Sequence, residues 1–434
     1  MTPITRRALL GQAAVASSWL WVRPAAAQAP PPAPALPPSI AALTSLRGEA
    51  RPITTAERDA RVERARALMR DARLDAILIP GGTTLDYFSG ARWGNSERLM
   101  AMVIPRDGAP FVVIPAFEEE RVREQLRNGP LISADIRVWQ ESGSPFALVA
   151  ATLRDRGIAA GRLGIEETTK FVFSDSLASA APALKITSAT PVVAGCRMRK
   201  SPAELALLRL ACRATLQCYG AVYKALRPGM TENDVRTLIA AAYGRLGFPG
   251  GASVQVGEYT ALPHGSTMPQ TIRDGTIIML DDGCRVEGYT SDLTRTFVLG
   301  APTAKMKHVF TIVSEAQHAA LAAAKPGVPL ASIDAAARKV VSDAGYGPGY
   351  KYFTHRLGHG IGMDMHEWPY LVPNNMFGWE QALVAQPGMT FSDEPGIYIP
   401  GEFGVRLEDV MEITESGAGL MTAPSRSLEA PFAG

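Results

Sequence analysis

The chain is expected to be α/β (α+β): a mixed α/β domain followed by a larger α+β domain with a pseudo-two-fold internal repeat. Three observations carry this expectation. Residues 45–190 alternate helix-period runs with short β-branched runs, the pattern of a mixed sheet covered by helices. Ser201-Pro202 followed by Glu204 is a helix-start signature that opens a second region. Beyond it, Arg227-Pro228-Gly229 and Lys325-Pro326-Gly327 introduce similar helices, with the two prolines 98 residues apart.

Composition sets the outer bounds. The 434 residues carry a formal net charge of +2, with 20% charged and 47% hydrophobic residues. That length supports two or three domains with ample core. Near-balanced charge leaves no electrostatic footprint for nucleic acid or an anionic membrane surface. No apolar run reaches the roughly 18 residues of a spanning helix.

Residues 1–29 read as a leader. Arg6-Arg7 precedes a weakly apolar stretch over 8–22, and small residues follow at Ala25, Ala26, Ala27 and Ala29. This resembles a twin-arginine export signal, cleaved after Ala27 or Ala29. It implies a periplasmic protein with no stable membrane insertion after cleavage. The route carries folded proteins, so metal loading in the cytoplasm is compatible with it. Residues 30–44 begin with dense proline and are expected to form an extended polyproline II linker.

The first domain spans 45–195. Thr55 is expected to cap a helix whose apolar stripe is Val62, Ala65, Leu68 and Met69. Strand-like runs follow over 75–79, 99–104, 111–114, 136–139 and 162–165, with Asp107-Gly108 as a hairpin turn. The second domain spans 196–420 and opens with a capped helix running to about Lys224. In the repeat, Val235, Leu238, Ile239 and Ala242 mark one helix, ending at Gly247. Ile333, Ala336, Ala337 and Val340 mark the other, ending at Gly345. Each copy reads helix, helix, strands, which predicts a crevice between two halves of a curved sheet. Residues 421–434 are expected to be a C-terminal tail. Cys196, Cys212, Cys218 and Cys284 form no C-x-x-C pair and are read as buried thiols.

The chemistry lies in five dispersed residues. Residues 276–280 read as an apolar strand that delivers Asp281 at its end, and 291–299 as the returning strand that carries Asp292. Gly283 and Gly288 suit a reversal centred near Val286, bringing the two aspartates face to face. His359 follows between Gly358 and Gly360. Glu394 precedes Pro395 at a strand end, and Glu408 stands two residues after Arg406, so both project to one side of a strand. Four carboxylates crowded together would resist ionisation, and two divalent ions would neutralise them. Oxygen ligands with one imidazole favour Mn, Co, Zn or Fe over a thiolate-selected metal.

Residues 200–415 resemble the pita-bread metallopeptidases, the group of aminopeptidase P, prolidase, methionine aminopeptidase and creatinase. The motifs are Asp281-Asp282-Gly283 and Gly288-Tyr289-Thr290-Ser291-Asp292-Leu293-Thr294-Arg295-Thr296-Phe297. The upstream domain resembles the creatinase/prolidase type. The resemblance implies two divalent ions, Mn first among the candidates. It implies that Asp281 holds one ion, that Asp292 and Glu408 bridge both, and that His359 and Glu394 hold the other. It also implies catalytic roles for His264, His366 and Glu394, and substrate-pocket roles for His355, Tyr398 and Arg406. The implied reaction is peptide-bond hydrolysis by a metal-bridging hydroxide, in an Xaa-Pro aminopeptidase or dipeptidase acting on small peptides as a homodimer or higher homo-oligomer.

Two alternatives stand beside it. One is altered chemistry on the same fold: creatinase- or ectoine-type C–N hydrolysis, or dimethylsulfoniopropionate lysis. The other is a non-catalytic binding protein. The intact ligand set argues against creatinase and against loss of catalysis, whereas Pro373-Asn374-Asn375-Met376-Phe377-Gly378-Trp379 departs from the aminopeptidase P pattern.

Overall fold

The computed structural model describes residues 35–127, 129, 134–373 and 383–432. The export signal expected over 1–29 lies outside the described residues, as does 374–379. The polyproline tether expected over 30–44 does not extend to its end. Pro38–Ala41 forms a short helix (α1) with Ile40 fully buried, and Ser39 Oγ donates to the Ala221 carbonyl at 2.8 Å. An apolar side chain with a pocket to fill outweighs the extended bias of the flanking prolines.

The first region contains α2 (Thr55–Ala72), β1 (Ala76–Pro80), α3 (Thr83–Ser89), β2 (Ala101–Pro105), β3 (Phe111–Pro115), α4 (Glu119–Leu126), β4 (Asp135–Trp139), α5 (Pro145–Asp155), β5 (Gly161–Ile165), α6 (Phe171–Ala180), β6 (Leu184–Ser188) and α7 (Thr190–Arg197). Thr54, not Thr55, caps α2. Its hydroxyl and the Glu57 carboxylate close a capping box, satisfying amide groups that the first helical turn leaves unpaired. Val62, Ala65 and Met69 are buried as their spacing predicts.

The sheet order is β4-β3-β2-β1-β5-β6. β1–β2–β3 are antiparallel and the outer pairs parallel. Asp107-Gly108 lies in the β2–β3 connection, with Gly108 at φ 95°. β6 was not foreseen; its Lys185, Thr187 and Ser188 break the apolar run that marks the central strands.

The second region holds α8 (Pro202–Ala225), α9 (Glu232–Leu246), β7 (Ser253–Val256), β8 (Thr276–Asp281), β9 (Arg285–Val286), β10 (Tyr289–Thr290), β11 (Arg295–Leu299), α10 (Ala304–Ala323), α11 (Leu330–Val341), β12 (Gly358–Gly360), β13 (Glu367–Leu371), β14 (Thr390–Asp393), β15 (Gly396–Ile399), β16 (Phe403–Arg406), β17 (Asp409–Ile413) and β18 (Ala418–Leu420). The Ser201–Glu204 capping box forms as predicted. The repeat is visible in order and detail: two helices, then strands, in each half. Gly247 and Gly345 both adopt φ 88°, a conformation that favours glycine. The halves build sheets of order β11-β8-β7 and β13-β12-β14-β17-β18, with β15–β16 as a separate pair.

The two regions share a core. Ile77 and Ile79 of β1, Val192 of α7, Leu208 and Cys212 of α8 and Leu280 of β8 belong to one buried apolar cluster. The boundary near 196 is therefore a change of architecture and not a gap in packing. The expected tail is packed as well: the Val298 amide donates to the Leu428 carbonyl at 3.1 Å, and Phe432 stacks near Tyr223 and Phe297. All four cysteines are buried and unpaired. No helix among the described residues is long and apolar enough to cross a membrane.

Candidate metal centre

Asp281 is the last residue of β8, paired with β11 through Leu280 and Arg295. The returning strand begins at Arg295, later than expected, because 282–294 fold into a compact excursion. Val286 pairs with Tyr289 across a two-residue turn in which Glu287 and Gly288 both have positive φ, 47° and 94°. The Leu293 amide donates to the Asp282 carbonyl at 3.1 Å, which folds Asp292 back beside Asp281. A Cβ at Gly283 would collide with Ser291, so this approach requires glycine.

His359 lies in β12, between the antiparallel partners β13 and β14. Its amide donates to Ser392 Oγ at 2.9 Å, and its Nδ1 faces the Gly360 carbonyl at 3.1 Å. That carbonyl favours a proton on Nδ1, leaving the Nε2 lone pair for a ligand. Nε2 lies 3.3 Å from Glu394 Oε1 and 3.8 Å from Asp292 Oδ2. Glu394 follows β14 directly, as expected. Arg406 ends β16 and Glu408 precedes β17, so they flank a strand junction instead of sharing one strand. Both nevertheless reach Thr294 Oγ1, at 3.0 Å from Arg406 Nε and 2.6 Å from Glu408 Oε2, while Leu407 is buried in the core.

Possible ligand atoms within 4.8 Å of one another fall into interlocking groups: Asp281, Asp292 and Glu408; His359, Glu394 and Glu408; and Asp292, His359 and His366. Glu408 joins the first two groups, and Asp292 joins the first and third. Burial raises the Asp292 carboxyl well above its usual range, with Asp281 and Glu394 adding repulsion. Glu408 is raised in the same way, by burial and then by Asp292 and Glu394. Glu394 goes the other way: burial opposes ionisation, but its close contact with His359 and the neighbouring His355 and Arg406 hold it low. Buried carboxylates that repel one another, arranged around an imidazole lone pair, fit divalent cations.

These residues line a cleft of about 630 Å³. Buried Arg406 pairs with Asp281 and donates to Tyr398 Oη at 2.9 Å and the Pro263 carbonyl at 3.0 Å. His355 Nε2 lies 2.8 Å from the same Tyr398 oxygen, so His355, Tyr398 and Arg406 form one chain of hydrogen bonds along the wall. The His366 ring stacks on His359, with centroids 3.7 Å apart. His264 lines the exposed part of the cleft, and no hydrogen bond among the described residues fixes its ring. All ten residues singled out from the sequence lie in or against this cleft.

The profile of metallopeptidase family M24 matches residues 206–415, and that of the creatinase/prolidase N-terminal domain matches residues 61–199. The chain belongs to metallopeptidase family M24. It is 38% identical over 363 residues to the probable dipeptidase PepE of Mycobacterium bovis, covering 82% of this chain and 92% of that one. It is 32% identical over 367 residues to the Xaa-Pro dipeptidase of Lactobacillus delbrueckii subsp. lactis, covering 83% and 96%. Its fold matches the crystal structure of dipeptidase PepE from Mycobacterium ulcerans with a TM-score of 0.80 at 34% identity, covering 87% of this chain and 99% of that one. A prolidase structure from Thermococcus sibiricus matches with a TM-score of 0.76 at 28% identity, covering 86% and 98%. This member of the family is thus a metallopeptidase, and the cleft holds its candidate metal ligands.

Sequence reasoning missed three residues of this candidate site. Thr294 Oγ1 lies 2.8 Å from Asp281 Oδ1 as well as against Glu408 and Arg406. Ser392 Oγ donates to Glu394 Oε1 at 3.1 Å while accepting from the His359 amide. Ser392 lies in β14, two residues before Glu394, whereas Thr294 meets carboxylates distant in the chain, which no local pattern signals. The third, Asp282, sits beside Asp281 in the cleft, with burial and then Asp281 pushing its carboxyl up to about 6.

Proposed function

We propose that this protein is an exported dipeptidase of the Xaa-Pro type that uses two divalent ions, with manganese the first candidate and cobalt, zinc or iron compatible. The observation that carries this reading is the sharing of Glu408 and Asp292 between adjoining ligand groups, since a shared carboxylate suits two cations a few ångströms apart. Asp281 with the shared pair would hold one ion, and His359 with Glu394 the other. When bound, such a pair polarises the scissile carbonyl and makes water acidic enough to attack at neutral pH.

The chain's own residues supply the rest. Glu394 Oε1, held by Ser392, accepts the proton that the attacking water loses. His366, stacked on His359 and open to the cleft, donates a hydrogen bond to the oxygen on which charge develops. His264, which lines the same cleft, meets the leaving nitrogen. The His355–Tyr398–Arg406 chain presents donors along the wall, where a substrate carbonyl or carboxylate can be oriented. The dipeptide and proline preference is supported by the names of the relatives, and the periplasmic location by the arginine pair and small residues near the N-terminus. A homodimer or higher homo-oligomer belongs to the same reading.

The test is product analysis. Purified protein stripped of metal and reloaded separately with manganese, cobalt, zinc or iron is offered Xaa-Pro dipeptides beside longer Xaa-Pro peptides. Two equivalents of metal per chain and cleavage of the dipeptides are expected. One equivalent at saturation overturns the paired-ion assignment, and preference for the longer peptides overturns the dipeptidase assignment.

A further inference from the structure

We infer that the Asp282 carboxylate holds the free ammonium group of the substrate's first residue. The inference rests on the peptidase reading above and names the group that selects the substrate's end. Asp282 lines the cleft next to Asp281, in the same lining as His264 and Glu394. Its backbone has φ 119°, a region that L residues other than glycine rarely enter. Glycine would occupy that position without strain, so the turn alone gives no reason for a carboxylate there. Strained residues of this kind concentrate at functional sites.

The hydrogen bonding of Asp282 leaves half of it open. Oδ2 accepts from the Ser253 amide at 2.9 Å, which fixes the side chain. No donor among the described residues reaches Oδ1, and no Lys or Arg pairs with it. The other carboxylates of the cleft are engaged. Asp281 meets Arg406 and Thr294, Glu408 meets Thr294, Glu394 meets Ser392 and His359, and Asp292 lies beside His359. Asp282 is therefore an anchored anion facing a peptide-sized space without a cation of its own.

Position identifies the cation. Asp282 directly follows Asp281, so their Cα atoms are about 3.8 Å apart. In a peptide cleaved after its first residue, the ammonium nitrogen and the scissile carbonyl carbon are both bonded to one Cα. A carboxylate adjoining the ligand set can meet the ammonium while that carbonyl lies at the ligands. A lysine side chain carries its charge on a four-carbon stem, too far from its own carbonyl for this spacing.

The test compares substrates with and without the amine. Manganese-loaded wild type and Asp282→Asn are assayed on Ala-Pro, on propionyl-proline, which keeps the same amide bond but lacks the amine, and on Lys-Pro. Bound metal is measured in each preparation. The variant should retain its metal and lose about 10- to 100-fold in kcat/KM on Ala-Pro and Lys-Pro alike, mainly through KM, with propionyl-proline unchanged. Asp282→Gly, which relaxes the positive-φ backbone, should lose the same discrimination while remaining folded. Equal losses on Ala-Pro and propionyl-proline, or no loss on either, overturn the inference. A loss confined to Lys-Pro also overturns it, by moving the contact to a side chain. If metal-loaded wild type cleaves none of the three, the peptidase reading falls first and takes this inference with it.

Discussion

Thr294 holds two candidate ligands with one hydroxyl. Oγ1 lies 2.8 Å from Asp281 Oδ1 and 2.6 Å from Glu408 Oε2, and it also accepts from Arg406 Nε at 3.0 Å. One hydroxyl proton cannot serve two ionised carboxylates at once, and a cation between them would relieve that conflict. Thr294→Val keeps the shape and removes the hydroxyl. It should weaken metal binding or lower activity by about 10- to 100-fold, the range typical of residues that orient ligands; unchanged metal titration together with unchanged kinetics would refute this. Glu408→Ala removes the carboxylate common to two candidate ligand groups, and elemental analysis should find the bound metal reduced along with the loss of peptide hydrolysis. The contrast explains what was legible. Asp281, Asp292, His359, Glu394 and Glu408 stand out because acids and a histidine recur beside glycine and proline punctuation. Thr294 and Ser392 are common residues whose importance depends on what folds opposite them. Asp282 was hidden by its neighbour, since a second carboxylate next to a ligand reads as solvated charge until the cleft is seen.

β12 shows how narrow the backbone tolerance around a ligand is. A Cβ on Gly358 would collide with the Ser392 carbonyl, and one on Gly360 with the Glu367 and Trp368 carbonyls. These glycines let β12 pack between β13 and β14, bringing His359 to Glu394. Gly358→Ala should push β12 from β14 and reduce bound metal even though every ligand remains; metal content equal to wild type would sink this reading. Helix termini offer a milder probe. Ser201→Ala removes the hydroxyl that caps α8, and denaturant unfolding should show a loss of about 1 kcal/mol with kcat/KM unchanged. Elements were legible where a local signal was strong, as in the α8 capping box, the apolar run of β1 and the two glycines that end the repeated helices. They were shifted where two local signals competed, as with Thr54 and Thr55. β11 begins late because Asp292 and Thr294 turn toward the cleft before the ladder with β8 is established, an interaction across more than ten residues that no local pattern encodes.

The creatinase/prolidase-type region and the catalytic region are joined by charge as well as by apolar packing. Arg61 of α2 lies 3.2 Å from Glu204 of α8, and Tyr289 Oη donates to that carboxylate at 2.7 Å. At the end of α7, Arg197 pairs with Asp364 at 2.6 Å and with Glu367, which also takes Lys200 Nζ at 2.7 Å. Arg197 further donates to Thr84 Oγ1 of α3 at 3.1 Å, and Thr83 Oγ1 donates to Asp364 Oδ1 at 2.7 Å. This network reaches the residue before β13, since His366 lies between Asp364 and Glu367 and stacks on His359. The sequence offers no sign that the regions share a core, because an apolar residue does not reveal which neighbour will cover it. Arg197→Ala would leave Asp364 without its arginine and Glu367 with Lys200 as its remaining cation. Removing one member of a buried ionic network destabilises by about 3–5 kcal/mol. Because Ile77, Val192, Leu208 and Leu280 lie in one cluster, that loss should lower a single calorimetric transition instead of splitting it. Two transitions in the wild type, or a variant in which one half melts earlier while the other keeps its midpoint, would mean that the regions unfold independently and that the shared core does not couple them.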